Sequence, residues 1–157
     1  MIIEHPWIEP IEPDNIIHDD AVVATLWSRW HSDWFQKIGE LAVVDAQSRV
    51  CGVVRPYDIL YHLLQNRSDV YHLWPYTHVV NREWSERLNL LDQMRVGHLV
   101  RQPGAVIQIP APNRRPSDRV FAEHMTPVLW GVHHDATLYG TVTLKRIAGL
   151  YASEHRN

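Results

Sequence analysis

The sequence predicts a mixed α/β fold, of the α+β kind, in which two pseudo-symmetric β-α-β-β-α units pack through their small sheets. Two short β-rich runs enclose a five-residue polar turn in each half, which is the pattern of a hairpin: 41–44 with 50–54, and 128–132 with 138–142. The two halves also align at an offset of 88 residues, which places Gly52 on Gly140. Two copies of so long a period indicate one paired module and not a solenoid.

The elements before and after the first hairpin follow from proline and acidic residues. Three prolines predict an extended arm over 2–14, because proline disrupts the interior of a helix. Asp19 and Asp20 predict the start of a helix, since a carboxylate caps free N–H groups. Three tryptophans recur along that helix at helical spacing. After the hairpin, Pro56 predicts the first residue of another helix.

The rest of the chain divides at a segment that matches neither repeat. We predict a helix within this segment, over 83–94. The second repeat then has a strand candidate at 105–109, a helix capped by Ser117 and Asp118, the second hairpin and a final helix. The predicted domain limits are 1–66 for the first repeat with its arm, 67–95 for the linker, and 96–157 for the second repeat.

The composition excludes several classes of protein. Hydrophobic residues make up 45% and charged residues 21% of the 157, which is typical of a globular chain and argues against disorder. The net charge of −3 gives no reason to expect a nucleic-acid partner. No apolar run approaches the roughly 18 residues of a membrane helix, so we expect no membrane partner. The N-terminus lacks a signal core, which predicts a cytoplasmic protein.

We predict that the chain is not an enzyme. Neither a G-x-S-x-G elbow nor a glycine-rich phosphate loop is present. The eleven histidines include no H-E-x-x-H motif, so we predict no metal site. Cys51 is the single cysteine, which excludes an intramolecular disulfide. Its position inside an apolar strand predicts a buried, inert thiol.

Residues 40–60, Glu-Leu-Ala-Val-Val-Asp-Ala-Gln-Ser-Arg-Val-Cys-Gly-Val-Val-Arg-Pro-Tyr-Asp-Ile-Leu, resemble the cystathionine-β-synthase (CBS) domain signature. In that family an apolar strand ends in Val-Val-Asp, a polar turn and a glycine-containing strand follow, and a helix opens with Thr or Ser, two residues and Asp. The second half has a weaker form of this pattern. The resemblance implies a tandem CBS-domain pair, also called a Bateman module, that acts as a stand-alone regulatory module. It further implies an adenosine-type ligand, namely AMP, ATP or S-adenosylmethionine, in the cleft between the sheets.

The motif residues differ between the halves. The first half retains Asp58, the ribose-binding position, but has Arg55 in place of Thr or Ser. The second half retains Thr143 but has Arg146 in place of Asp. A carboxylate can accept both protons of a diol, whereas arginine has no acceptor. We therefore expect the ligand in the first half, with Asp58 on the ribose and Arg55 near a phosphate, and a second site that is altered or empty. An acid in the first turn of a helix also stabilises that helix, so a structural role for Asp58 has equal weight.

The predicted ligand-binding set also includes three residues next to these motifs: Val54, Ala42 and Trp130. At the offset of the repeat, Trp130 falls opposite Ala42 and is expected either to fill the second cleft or to stack on a base. A filled cleft supports a competing hypothesis, in which the module is structural or binds a protein partner and has lost its nucleotide function. We also predict a homodimer, because two apolar helix stripes exceed what one thin two-sheet module can cover, and such a stripe is typical of a core or an interface. The first stripe is Trp27, Trp30 and Trp34, and the second is Leu60, Leu63 and Leu64.

Overall fold

The computed structural model describes residues 6–59, 77–100, 106–108 and 126–155. The strands are β1 Ile16–His18, β2 Leu41–Val44, β3 Val50–Val54, β4 Val106–Gln108, β5 Val128–Val132 and β6 Leu138–Thr143. The α-helices are α1 Leu26–Trp30, α2 Asp33–Ile38, α3 Thr77–Asp92 and α4 Leu144–Glu154. Short 3-10 helices cover Pro13–Asn15, Val23–Thr25 and Val96–Leu99. One more helix begins at Pro56, as predicted, and is described as far as Ile59.

The two halves form two three-stranded sheets of the same topology. In the first sheet β2 lies between β1, which is parallel to it, and β3, which is antiparallel. In the second sheet β5 lies between β4 and β6 in the same way. The antiparallel pairs are irregular at Val43/Val44 in one sheet and at Gly131/Val132 in the other, positions that are 88 residues apart. Both predicted hairpins and the predicted repeat are therefore confirmed.

The hairpin turns of the two halves meet at a local twofold axis. Arg49 forms an antiparallel bridge with Thr137, its own equivalent at the offset of 88 residues. The Val50 N–H donates to the Ala136 carbonyl over 2.9 Å. Ser48 and Ala136, also equivalent, adopt positive φ values of 62° and 71°. A bridge between equivalent residues places the pseudo-twofold axis between them.

The helix predicted to start at Asp19 starts later in the structure, so its predicted start is wrong. The Asp19 N–H donates to the Val44 carbonyl over 2.8 Å, and the Asp19 carbonyl accepts from Gly97 over 2.9 Å. These bonds hold Asp19 in a turn directly after β1, so the helical region starts only at Val23. It breaks again before Asp33, because Ser32 has an extended backbone and its hydroxyl accepts the Phe35 N–H over 3.2 Å.

The remaining predicted elements are confirmed or lie outside the described residues. The predicted arm is extended at Glu9, which pairs with Thr141. The helix predicted over 83–94 overlaps α3, which begins earlier and ends two residues sooner, at Asp92, and the strand candidate at 105–109 contains β4. The apolar stripe at Leu60, Leu63 and Leu64 and the helix after Ser117 and Asp118 fall on residues that the structure does not describe.

Three clusters of buried side chains hold the elements together. The first lies under β1 and β2 and takes Leu91 from α3. The tryptophans at 27, 30 and 34 pack against it and are half-buried, so they contribute to the core, one of the two roles predicted for them. The second cluster places Ile8 of the arm against Leu129, Val142 and Ile147 of the second repeat. The third joins the two repeats, and its buried members are Ala42, Val53, Val128 and Trp130. The arm of the first repeat therefore completes the core of the second.

Candidate functional site

A cleft of about 700 Å³ lies between the N-terminal arm, α2 and α4. Its volume falls within the roughly 300–1,000 Å³ of pockets that bind small molecules. The arm and α2 belong to the first repeat and α4 to the second, so the cleft lies between the repeats. Its lining residues are Glu9, Glu12, Asp14, Asn15, Asp33, Trp34, Lys37, Ile38, Thr143, Lys145, Arg146, Gly149, Leu150 and Ser153.

The wall from the second repeat is one face of the first turns of α4. Thr143 is the residue that caps this helix: its hydroxyl accepts the Arg146 N–H over 3.1 Å. Arg146, Gly149 and Ser153 follow at intervals of three and four residues, which places them on one side of the helix. A Cβ added at Gly149 would meet no heavy atom within 4 Å, so this glycine leaves space at the wall. The Leu144 N–H donates to the Pro127 carbonyl over 3.0 Å. The start of α4 therefore presents the Thr143 hydroxyl and the backbone N–H of Lys145 beside the cleft.

The wall from α2 is an aromatic residue held in a fixed orientation. The Trp34 indole N–H donates to the Glu40 carbonyl over 2.7 Å. Its ring contacts Trp130 edge to face, with ring centroids 5.7 Å apart. Lys37 and Ile38, one helical turn further along, lie on the same side of the cleft. The wall therefore combines an apolar surface with one cation.

The third wall is the arm, which is tied to the second repeat. Glu9 and Thr141 exchange two backbone hydrogen bonds of 2.8 Å. Asn15 is buried, and its side-chain oxygen accepts the Glu12 N–H over 2.7 Å. These bonds position the acidic residues of the arm at the cleft.

The charges in the cleft are uneven along its walls. Lys37 and Lys145 are the only two lysines of the sequence, and both line the cleft together with Arg146. Four carboxylates lie on the arm and α2: Glu9, Glu12, Asp14 and Asp33. The cations suit a phosphate group, and the carboxylates suit hydroxyl or amino donors.

The motif residues of the first half, Asp58 and Arg55, form hydrogen bonds with other groups of the protein. The Asp58 carboxylate accepts the Arg55 N–H over 2.9 Å, which agrees with the structural role considered for this acid. The Arg55 guanidinium donates through Nε to the Glu40 carboxylate over 2.8 Å. Residues 60–76 and 109–125 lie outside the described residues. Ligand binding by Asp58 and Arg55 therefore stays a prediction.

The remaining predicted site residues are buried in the core and do not line the cleft. Ala42, Val54 and Trp130 are 0%, 1% and 0% exposed. The Trp130 indole N–H donates to the Glu40 carboxylate over 2.7 Å. The indole thus packs between the two sheets. Of the six residues of the predicted ligand-binding set, Thr143 is the one that lines the cleft.

Sequence reasoning missed two features of this region. Glu40 is 1% exposed, and its carboxylate binds Arg55, Trp130 and Thr126. An acidic residue directly before an apolar strand was the available signal. The second feature is the convergence of both lysines, which only the position of α2 against α4 reveals.

Cys51 is exposed, so its predicted burial is wrong. It lies near the start of β3, where alternate residues leave the core. Desolvation and the nearby carboxylates of Asp19 and Asp45 raise the pKa of the thiol, so it stays protonated. Among the residues that the structure describes, no group of three or more His, Cys, Asp or Glu side chains is placed to hold a metal ion. Within the same residues no helix has both the length and the apolar character needed to cross a bilayer.

Comparison with solved structures shows the fold. No family model matches the sequence, and no curated protein matches it. CBSX2 from Arabidopsis thaliana, a CBS-pair protein, has a TM-score of 0.65 at 19% identity over 96% of this chain and 94% of its own. CBSX2 in complex with AMP gives 0.59 at 18% identity, with 96% of each chain covered. A CBS-domain protein from Streptococcus pneumoniae gives 0.63 at 14% identity over 96% of this chain and 87% of its own. The chain therefore has the fold of a tandem CBS-domain pair, as the resemblance implied.

Proposed function

We propose that this CBS-domain pair is a regulatory module that binds an adenine nucleotide in the cleft between the arm, α2 and α4. The observation that carries the proposal is the convergence of Lys37 and Lys145, the chain's two lysines, on a cleft that also contains Thr143. CBSX2, a protein of the same fold, has been solved in complex with AMP. ATP and S-adenosylmethionine are further ligands to test.

The phosphate of the nucleotide lies at the start of α4. Thr143 is 7% exposed and keeps its hydroxyl hydrogen for a ligand, since its oxygen is the acceptor for Arg146. The backbone N–H of Lys145 in the first helical turn favours an anion, and the Lys145 ammonium group adds a charge-assisted donor. These groups together give the phosphate one defined position.

The base lies against Trp34 and Ile38. An indole whose N–H is already bonded offers its ring for stacking, and stacking on an aromatic contributes about 1–3 kcal/mol per base. The carboxylates of the arm and of α2 provide acceptors for the ribose hydroxyls and the adenine amino group. They substitute for the diol carboxylate that Arg146 replaces.

A thermal-shift panel of AMP, ADP, ATP, S-adenosylmethionine and NAD tests the proposal. Ligand at about 100 times its dissociation constant adds roughly 2.7 kcal/mol of stability, which raises the melting temperature measurably. Stabilisation by AMP or a related compound supports the function. A melting temperature unchanged by every compound contradicts it.

A matched pair of variants distinguishes this cleft from the first-half site. Asp58→Ala and Thr143→Ala each remove one helix cap, so each is expected to destabilise the fold by a similar ~1 kcal/mol. A ligand in the cleft described here loses affinity in Thr143→Ala and keeps it in Asp58→Ala. The opposite result assigns the ligand to Asp58 and Arg55, as the sequence alone predicts.

A structural or protein-interaction module is the second candidate. It is favoured by Trp130, which is buried between the sheets, and by Arg55, which is already paired with Glu40. Both arrangements leave fewer groups for a ligand in the first half. We propose in addition that the chain forms a homodimer and has a protein partner, both of which are compatible with either function. We also propose that it is cytoplasmic and that its role is binding and not catalysis.

A further inference from the structure

The side chain of Arg146 lines the cleft and also contacts the arm. It lines the cleft, and its Nε donates to the Pro6 carbonyl over 2.8 Å, between residues 140 positions apart. The described part of the chain gives no partner to its two terminal nitrogens. A guanidinium has five donors on two usable edges, so one edge can hold the arm while the other binds an anion.

The arm is a short segment, or strap, that lies against the second repeat. Glu9 pairs with Thr141 through two backbone hydrogen bonds, and Ile8 packs against the second core. The same strap supplies Glu9 to the lining of the cleft. Any group that fixes the strap therefore also fixes one wall of the cleft.

We propose that Arg146 couples the cleft to the arm, with a ligand phosphate on its terminal nitrogens and the Pro6 carbonyl on Nε. This inference rests on the proposed function. A phosphate bound bidentately restricts the side-chain rotamers of the Arg146 guanidinium. Less side-chain entropy is then lost when Arg146 bonds the Pro6 carbonyl. Ligand binding and arm ordering then strengthen each other, as linkage requires. The arm becomes the element through which occupancy of the cleft is passed on.

Hydrogen exchange of the arm measures this coupling. The amide of Glu9 is bonded to the Thr141 carbonyl, so its exchange rate reports the opening of the strap. AMP at saturation should slow exchange in the peptide covering 7–11 by roughly three- to ten-fold, the effect of strengthening one hydrogen-bonded contact. Adenosine, which lacks the phosphate, should slow exchange less than AMP does.

Variants at two neighbouring residues distinguish the hydrogen bond from Arg146 to Pro6 from the effect of a positive charge in the cleft. Arg146→Met removes the Nε donor, because methionine has no N–H group on its side chain. Since the Arg146 side chain is exposed and its main-chain bond to Thr143 remains, the protein should fold. Its arm should exchange faster without ligand, and AMP should slow this exchange less than in wild type. Lys145→Gln is the control, since Lys145 lines the same cleft and the described residues give it no contact with the arm. It should weaken AMP binding and leave the ligand-free exchange rate at the wild-type value.

Three results would overturn the coupling. Equal ligand-free exchange in Arg146→Met and wild type shows that the bond from Arg146 to Pro6 does not hold the arm. Calorimetric AMP binding with unchanged or faster exchange at Glu9 removes the coupling and leaves the proposed function standing. An absence of AMP binding by calorimetry overturns both, even where Arg146→Met alone loosens the arm.

Discussion

The Trp130 indole N–H donates to the Glu40 carboxylate over 2.7 Å, across the junction of the two repeats. The other oxygen of this carboxylate accepts from Arg55 over 2.8 Å and lies 3.4 Å from the Thr126 hydroxyl. Glu40 is 1% exposed, and a charge so deeply buried is tolerated only when it has partners. One carboxylate therefore fixes β5 of the second repeat against the first.

Trp130→Phe should destabilise the fold by about 1–3 kcal/mol in urea unfolding, because it removes one partner of a buried carboxylate. Trp27→Phe is the matched control. It also removes an indole donor, to Asp92 over 2.8 Å, but from a half-buried ring to which water has access. The loss there should be smaller. Equal losses of unfolding free energy in the two variants would contradict a larger contribution from the buried bond to Glu40.

Gly140→Ala should destabilise the fold and loosen the arm. A Cβ at this position would lie 2.6 Å from the Ile8 side chain and 2.7 Å from the Glu9 carbonyl. Overpacking of this kind typically costs about 1–3 kcal/mol. Gly149→Ala is the control, because nothing lies within 4 Å of its Cβ, and alanine in a helix gains about 0.5–1 kcal/mol. Thermal unfolding should shift in opposite directions, and a shift of the same sign would contradict the strap geometry.

Two turn aspartates make stability depend on acidic pH. A backbone N–H from Arg49 lowers the pKa of Asp45 below its ordinary 3.8, and the Thr137 hydroxyl lowers the pKa of Asp135 in the same way. A lowered folded-state pKa contributes stability above about pH 3.8 that is lost as pH falls further. The Asp45→Asn/Asp135→Asn double variant should therefore lose less melting temperature than wild type between about pH 5 and pH 2.5. Identical acid slopes would count against these bonds.

A homodimer is expected because apolar side chains remain at the surface. Leu90 on α3 is 67% exposed and Tyr57 is 68% exposed. Scattered apolar residues are common on monomers, so a measurement must decide. Light scattering should give twice the chain mass at high micromolar concentration, and Leu90→Lys tests whether this helix face is the interface. A wild-type monomer at that concentration would contradict the prediction.

The hairpins could be predicted from sequence because their signals are local. Strand residues and turn residues lie within 14 positions of each other in 41–54, and the second copy repeats them at a fixed offset. The start of the helical region at Val23, in place of Asp19, could not be predicted in the same way. It depends on long-range bonds of Asp19 to Val44 and Gly97, which replace the helix cap that the residue type suggests.

The candidate site was predicted only as single residues. Thr143 is identified by its motif, but the walls opposite it come from the arm and from α2, more than 100 positions earlier in the chain. No local pattern shows that Lys37 and Lys145 line one cleft. For the same reason the buried role of Glu40 became visible only when Trp130 and Arg55 were placed beside it.

Calorimetry of AMP with wild type and with a Lys37→Gln/Lys145→Gln variant tests the central claim most directly. Wild type should bind, and loss of two charge-assisted contacts, each worth about 1.5–3 kcal/mol, should weaken binding by at least roughly a hundred-fold. Arg49→Gln, a cation in the first hairpin turn that does not line the cleft, should bind like wild type. Equal AMP affinity in the lysine variant and wild type, or no binding by wild type, would contradict a nucleotide site in this cleft.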